Sequence, residues 1–454
     1  MMISVILIVL LILFCLKYNS KVVLCLLLFL MPLHELLKHS VVFFTGSSGI
    51  LPLWREVIIF ILFVKVFFVE RHYKVDKILS FLSIFIIVLS FVFLLVGGCR
   101  SSGIVLFRIY VSVFMLMISM SSISLSLMDM KRLLKCILLS VFVVCVLGVL
   151  QQFFFSMPFG LFLGTIEFSS NGGLQYVASS YTVLGVTDGA VPRMYGVVGG
   201  PNAFGVYLSV CLSYLFFVIS EKRFLVQSLL VKIAFAFSLF CILMSISRAG
   251  WIVFSFVFLF YQYRKGNLSI CIKYMVTVVL SLCVLVGVIY FVSPDSVSVY
   301  IATFTGEESS VASRSSMIED SFSIFFENML GEGLGFSHGH LMTMAESSLL
   351  LFAMDTGVIG FFSISVLFLY VLKSIYFRSR NNMIYSFFFA HVLISYVVAF
   401  VSVNMFEWPY VYYLFIIMGF GFNPSFIVVR NVIKFKQKLL LNAKSGFRGY
   451  SMYE

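Results

Sequence analysis

The 454-residue chain is 61% hydrophobic and only 11% charged, with a mean hydropathy of +1.11, which excludes a soluble globule. It reads as a polytopic membrane protein. Its formal net charge of +12 fits membrane topology plus attraction to anionic lipid, and no nucleic-acid partner is expected.

Apolar runs long enough to span a bilayer, about 20 residues each when untilted, recur from end to end. They fall at 1–16, 22–37, 54–69, 78–97, 104–128, 136–155, 203–220, 231–247, 249–262, 275–293, 347–372, 384–402 and 410–428. The pattern predicts an all-α fold of about 12 or 13 transmembrane helices. The first two runs are short and separated only by the residues from Lys17 to Lys21, so a half-inserted segment is an alternative there. The first run also lacks a basic leader and a cleavage site, and is expected to stay as an anchor.

Lysine and arginine in short loops are retained on the cytoplasmic side. Basic clusters at 17–21, 71–77, 131–135, 222–232, 264–273 and 373–380, and from Arg430 to Arg448, mark that side. The opposite, outer side carries Lys38, Arg55, Arg100, Arg108, Arg193, Arg248 and Arg314, and Lys65 is expected inside a span. The predicted organisation is one integral membrane domain at 1–428 and a basic cytoplasmic tail at 429–454.

Nearly all nine cysteines lie in spans, where they act as small apolar residues; Cys99 alone approaches the outer face, so no disulfide framework is expected. No CxxC, HExxH or paired-carboxylate pattern appears, and the six histidines are scattered. Neither a protein-ligated metal nor another cofactor is expected.

Two outer segments, 156–202 and 294–346, are far longer than ordinary connections and are expected to form external lobes that build the active surface. In the first, VPRMYGVVGGPNAFG runs from Arg193 through a glycine turn to Pro201 and Asn202, where a helix is predicted to begin. Free N–H groups at a helix start favour an anion, so Arg193 beside them makes a phosphate cradle. An interfacial arginine touching lipid headgroups is the competing reading. At the next junction Ser245, Ser247, Arg248 and Trp251 sit on a tight turn. Arg248 either snorkels outwards or offers a bidentate fork to phosphate.

The second lobe carries Arg314, then GEGLGFSHGH and Glu346 at the start of a long apolar helix. A carboxylate entering a membrane helix needs a role or a partner. Glu346 either complements the helix dipole with Ser347 and Ser348 or acts as general base toward an acceptor hydroxyl. His340 and His338 are the rival bases. Tyr176, Tyr181, Tyr195, Trp408 and Tyr410 are candidates for the aromatic belt or for a ligand-facing surface. Glu407 with Trp408 is a weaker acceptor-side candidate, while Glu167 and Asp188 read as solvated loop charges.

These residues resemble the bacterial O-antigen polymerase and O-antigen ligase superfamily. The matching elements, in order, are Arg193, Gly196, Pro201 and Asn202; Ser247, Arg248, Ala249 and Gly250; Arg314 followed by Gly331, Gly333 and Gly335; and Ser347 followed by Gly357 and Gly360. In the ligases a histidine precedes the last element, but here Glu346 stands in its place, a departure that resembles the polymerase branch.

The resemblance implies a GT-C-like membrane glycosyltransferase of the bacterial inner membrane, active at the periplasmic face. Its substrates would be undecaprenyl-diphosphate-linked oligosaccharide and polysaccharide, and a chain-length regulator and a flippase would be partners. Arg193, Arg248 and Arg314 would hold the diphosphate and Glu346 would be the base, with inversion, and the aromatics Tyr176, Tyr181, Tyr195, Trp408 and Tyr410 would be candidates for stacking on sugars. The ligase, using a histidine base, is the nearest rival. A secondary transporter would show interrupted helices in two related halves, and a flippase would need a cationic path for which Lys65, Arg108 and His391 are poorly suited.

Overall fold

The computed structural model describes residues 2–45, 50–71, 75–98, 100–153, 166–168, 174–176, 194, 196–198, 200–220, 229–245, 247–267, 269, 272–273, 276, 280, 309–339, 347–380, 382–401 and 410–425. Its helices are α1 (Met2–Lys17), α2 (Ser20–Leu30), α3 (His34–Thr45), α4 (Trp54–Val64), α5 (Lys77–Val96), α6 (Arg100–Ser122) and α7 (Leu127–Phe153). A short antiparallel hairpin follows, β1 (Ile166–Phe168) with β2 (Leu174–Tyr176), pairing Glu167 with Gln175. Then come α8 (Pro201–Ser220), α9 (Leu229–Ser245), α10 (Arg248–Arg264), α11 (Ser309–Glu327), α12 (Phe336–Gly339), α13 (Ser348–Ser379), α14 (Met383–Val401) and α15 (Tyr410–Phe422).

Helix starts follow local capping chemistry. Asn19 accepts from the Val22 N–H at 3.1 Å to begin α2, and Asp76 accepts from the Leu79 N–H at 2.9 Å to begin α5. Pro201 occupies the first position of α8. Serines inside the bundle, such as Ser83 and Ser213, return their hydroxyls to the carbonyl four residues earlier. That lets polar side chains sit in an apolar interior without orphaned donors.

Among the described residues, six helices are long and apolar enough to cross a membrane, and four more apolar helices are shorter. The chain is therefore an all-α polytopic membrane protein, as composition predicts, with one small hairpin among the described residues. The apolar run at 275–293 lies largely outside the described residues. The innermost element is α15, whose residues are almost all buried against α6, α8, α13 and α14. Enclosed by protein, it meets neighbouring side chains rather than lipid.

Three boundaries differ from the sequence reading. The helix break expected near 129–135 falls at 123–126 instead, because Asp129 accepts from both the N–H and hydroxyl of Ser126, at 3.0 and 2.6 Å, at the start of α7. Lys131, Arg132 and Lys135 thus occupy the first turns of α7 rather than a loop. The run at 22–37 is interrupted by a 3₁₀ turn at Met31–Leu33, with Pro32 removing a donor. Lys65 is not mid-span: its ammonium donates to the carbonyls of Leu16 and Tyr18 at 3.0 and 2.6 Å, closing the end of α1.

Lys65 thereby joins a basic end of the bundle. There Lys21 pairs with Asp129 at 3.0 Å, Ser20 donates to Glu70, and Arg264 donates to the Ser379 carbonyl at 2.9 Å. Arg378 donates to the Gly421 carbonyl at 2.6 Å. The irregular glycine-rich backbone gathers at the opposite end.

Candidate functional site

The elements expected to carry chemistry meet in pairs at that glycine-rich end. The first pair joins the segment after Arg193 to the ends of α7 and α9, next to the start of α10. Met194 donates its N–H to the Met244 carbonyl at 3.1 Å, and the Gly196 N–H reaches Gln151 Oε1 at 2.7 Å. Helices α8 and α10 then cross at Gly205 and Gly250, where a side-chain carbon on Gly250 would lie 2.6 Å from the Gly205 carbonyl. Only glycines permit that approach. Its consequence is that the first turns of α8 lie against the start of α10, with Gly205 facing Ser245 and Ser247.

Ser247 is buried and caps α10 by accepting from the Gly250 N–H at 3.2 Å. Arg248 occupies the first helical position of α10 and is exposed. Pro201 is buried and Asn202 half-buried.

The second pair joins the loop 331–335 to α13. The ladder of α13 breaks at Gly357, which adopts φ 67° and ψ −166°. A residue with a side chain there would be strained and would sit 2.5 Å from the backbone of Leu330. The groups freed by the break are taken up by the loop. Met354 and Asp355 accept from the N–H groups of Glu332 and Gly333, each at 3.0 Å, and Val358 donates to Met329 at 2.9 Å. Gly360 is needed one turn later, since a side chain would collide with Thr356.

The carboxylate of Asp355 completes this junction. It is 1% exposed and accepts from the N–H groups of Gly335 and Ser337, at 3.0 and 2.8 Å. The loop is pressed in turn onto α5 and α6: the Leu334 N–H donates to Phe93 at 3.0 Å, and Ser102 donates to the Gly335 carbonyl at 3.1 Å. Ser347 caps α13 by accepting from the Leu350 N–H at 3.3 Å.

Of the predicted site residues, Arg193, His340 and Glu346 lie outside the described residues, as do the side chains of Arg314 and His338. The backbone of Arg314 is in α11 and that of His338 in α12. The two pairs of elements share one end of the bundle, and helix α14 packs against both α10 and α13.

Tyr410 is corrected as a sugar-stacking candidate. It is 1% exposed and bonded to Ser395, deep among α14 and α15. Tyr181, Tyr195, Glu407, Trp408 and Asp188, with the side chains of Tyr176 and Glu167, lie outside the described residues.

Sequence reasoning missed Asp355 and Gln151. Both carried a legible signal: Asp355 is an ionisable residue inside an apolar run, two positions before Gly357, and Gln151 is a polar residue near the end of one.

The fold and this end of it define a multi-pass, all-helical membrane protein whose irregular backbone is gathered on one arginine-bearing face. The pattern of a family described as O-antigen ligase matches residues 233–365, which supports membership of the O-antigen ligase and polymerase superfamily. The matched stretch runs from α9 into α13, so it holds Arg248, Arg314, the glycine loop, Glu346, Gly357 and Gly360, and leaves out Arg193. That family comprises glycosyltransferase-like enzymes of lipopolysaccharide biosynthesis acting on lipid-linked polysaccharides, which supports an enzyme of ligase or polymerase type. No match was found among curated proteins or among solved structures.

Proposed function

We propose that this chain is an O-antigen polymerase, joining undecaprenyl-diphosphate-linked repeat units at the periplasmic face of the bacterial inner membrane. The observation that carries this reading over the ligase is Glu346, which stands directly before the Ser347 cap where the ligases carry histidine.

In this mechanism Arg193, Arg248 and Arg314 hold the diphosphate of the donor chain and stabilise its charge as it leaves. Glu346 accepts the proton of the acceptor hydroxyl. The hydroxyl oxygen bonds to the anomeric carbon while the bond from that carbon to the diphosphate oxygen breaks, with inversion. The lipid diphosphate leaves with the electron pair. The Gly205–Gly250 crossing supports the reading by giving Arg248 a rigid mount, and the Asp355-held loop by fixing Gly335 and Ser337 against α13.

The test is a gel of surface polysaccharide from the source bacterium lacking this gene, complemented with wild type or Glu346→Gln. The reading expects a single repeat unit on the lipid core, no ladder, and rescue by wild type alone. Complete loss of O-antigen from the core, with lipid-linked polymer accumulating, would instead make the chain a ligase. In that case His338 or His340 becomes the base.

A further inference from the structure

A second cationic cluster lies apart from the three arginines named above, where the starts of α4 and α15 meet α6. Arg55, one residue into α4, is 8% exposed, and its guanidinium lies over the ring of Tyr412, 5.3 Å from the centroid. Arg108 of α6 approaches Glu56 no closer than 3.6 Å. The Nε atoms of Arg55 and Arg108 and both carboxylate oxygens of Glu56 are buried without a hydrogen-bond partner among the described residues.

Buried charges are ordinarily matched by close, hydrogen-bonded counter-charges, at about 2.7–2.9 Å between heavy atoms. The contact with Glu56 is too long for that, and one carboxylate cannot neutralise two guanidiniums. The neighbouring acid, Glu35, is already engaged by Lys38 at 3.2 Å and by His39 at 3.5 Å. The cluster therefore holds a surplus of positive charge in a fixed frame. Tyr412 is locked by Ser112 at 3.1 Å, and Trp54 donates to His34 at 3.0 Å. Arg108 retains 35% side-chain exposure, which leaves an approach for a ligand.

The cluster and the candidate site share α6: Tyr110, on the face of α6 away from Arg108, stands edge-on to Phe352 in the second turn of α13, with centroids 5.2 Å apart. Guanidinium forks match phosphate oxygens better than any other side chain does.

We propose that Arg55 and Arg108 form a second lipid-phosphate site, which takes the diphosphate headgroup of the acceptor while the other three arginines take that of the donor. This rests on the polymerase reading, since a polymerase must hold two lipid-linked substrates at once.

The test counts undecaprenyl diphosphate bound to the full chain in phosphatidylcholine nanodiscs by native mass spectrometry. Wild type should bind two molecules and the Arg55→Gln, Arg108→Gln double variant one, with the first Kd unchanged. Should the glutamine pair not give monodisperse protein, Arg55→Lys with Arg108→Lys decides. Keeping charge but losing the fork, it should weaken the second Kd by roughly tenfold.

Two molecules bound to the glutamine pair, or an unchanged second Kd in the lysine pair, would overturn the site. So would displacement of the second molecule by phosphatidylglycerol in molar excess, which would mark an ordinary phospholipid site. A second molecule that responds as expected, in a chain whose deletion leaves the ladder intact, would keep the site and remove the polymerase reading.

Discussion

Asp355 accepts a hydrogen bond from the N–H of Gly335 at 3.0 Å, so a carboxylate inside an apolar helix holds the turn that follows Arg314. The same carboxylate binds Ser337, and the break at Gly357 frees the carbonyls that take Glu332 and Gly333. The third and fourth elements of the resemblance are thus one mechanical unit.

Replacing Asp355 with Ala should strip two N–H groups of a charged acceptor, each such bond being worth about 1.5–3 kcal/mol. A clear drop in thermal midpoint in detergent and loss of the polymer ladder are expected. Asp355→Asn keeps one acceptor oxygen and should fall between Ala and wild type. Equal midpoints for all three would show that the junction does not hold the loop.

Gly250→Val should be more damaging than Gly266→Val, although both remove a glycine. The first drives a side chain into the Gly205 backbone, whereas the second meets open space and carries only the strain of φ 74°. Overpacking of this kind costs about 1–3 kcal/mol. Size-exclusion profiles of the two variants in detergent provide the comparison.

Arg248→Gln should lose activity without losing fold. Exposed positions away from packing features usually change stability by about 0.5 kcal/mol or less, whereas removing one stabilising donor at a reacting charge costs on the order of 100-fold in rate. Chain extension and thermal midpoint measured on one preparation separate the two. A fall in midpoint matching the fall in rate would give Arg248 a structural role.

Glu346→Gln should slow chain extension by about 100-fold or more, the usual scale of a general base, with donor binding intact. His338→Ala and His340→Ala should each leave the rate within a small factor of wild type. The reverse ranking would move the base to the histidines.

The basic end of the bundle should face the cytoplasm. A fluorescent protein fused after the last residue should be bright, and alkaline phosphatase inserted between 177 and 193 should be active. Both reporters failing together would invert the topology.

Composition alone made this a helical membrane protein, because so apolar a chain can satisfy its backbone in lipid only through helices or closed barrels, and its long apolar runs suit helices. The order of arginines, glycines and Glu346 along the chain was also legible, since local spacing records helix starts and turns. Partners in space were not. That Asp355 holds Gly335, that Gly205 admits Gly250, that Lys65 closes α1 at the basic end rather than lying mid-span, and that Tyr410 turns inwards are decided by packing between segments far apart in sequence. Arg55 and Arg108 likewise read only as outer-side charges until α4, α6 and α15 bring them to one carboxylate and one ring. A periodic sequence specifies which face of a helix is apolar; only the assembled bundle specifies which buried charges are left for a ligand.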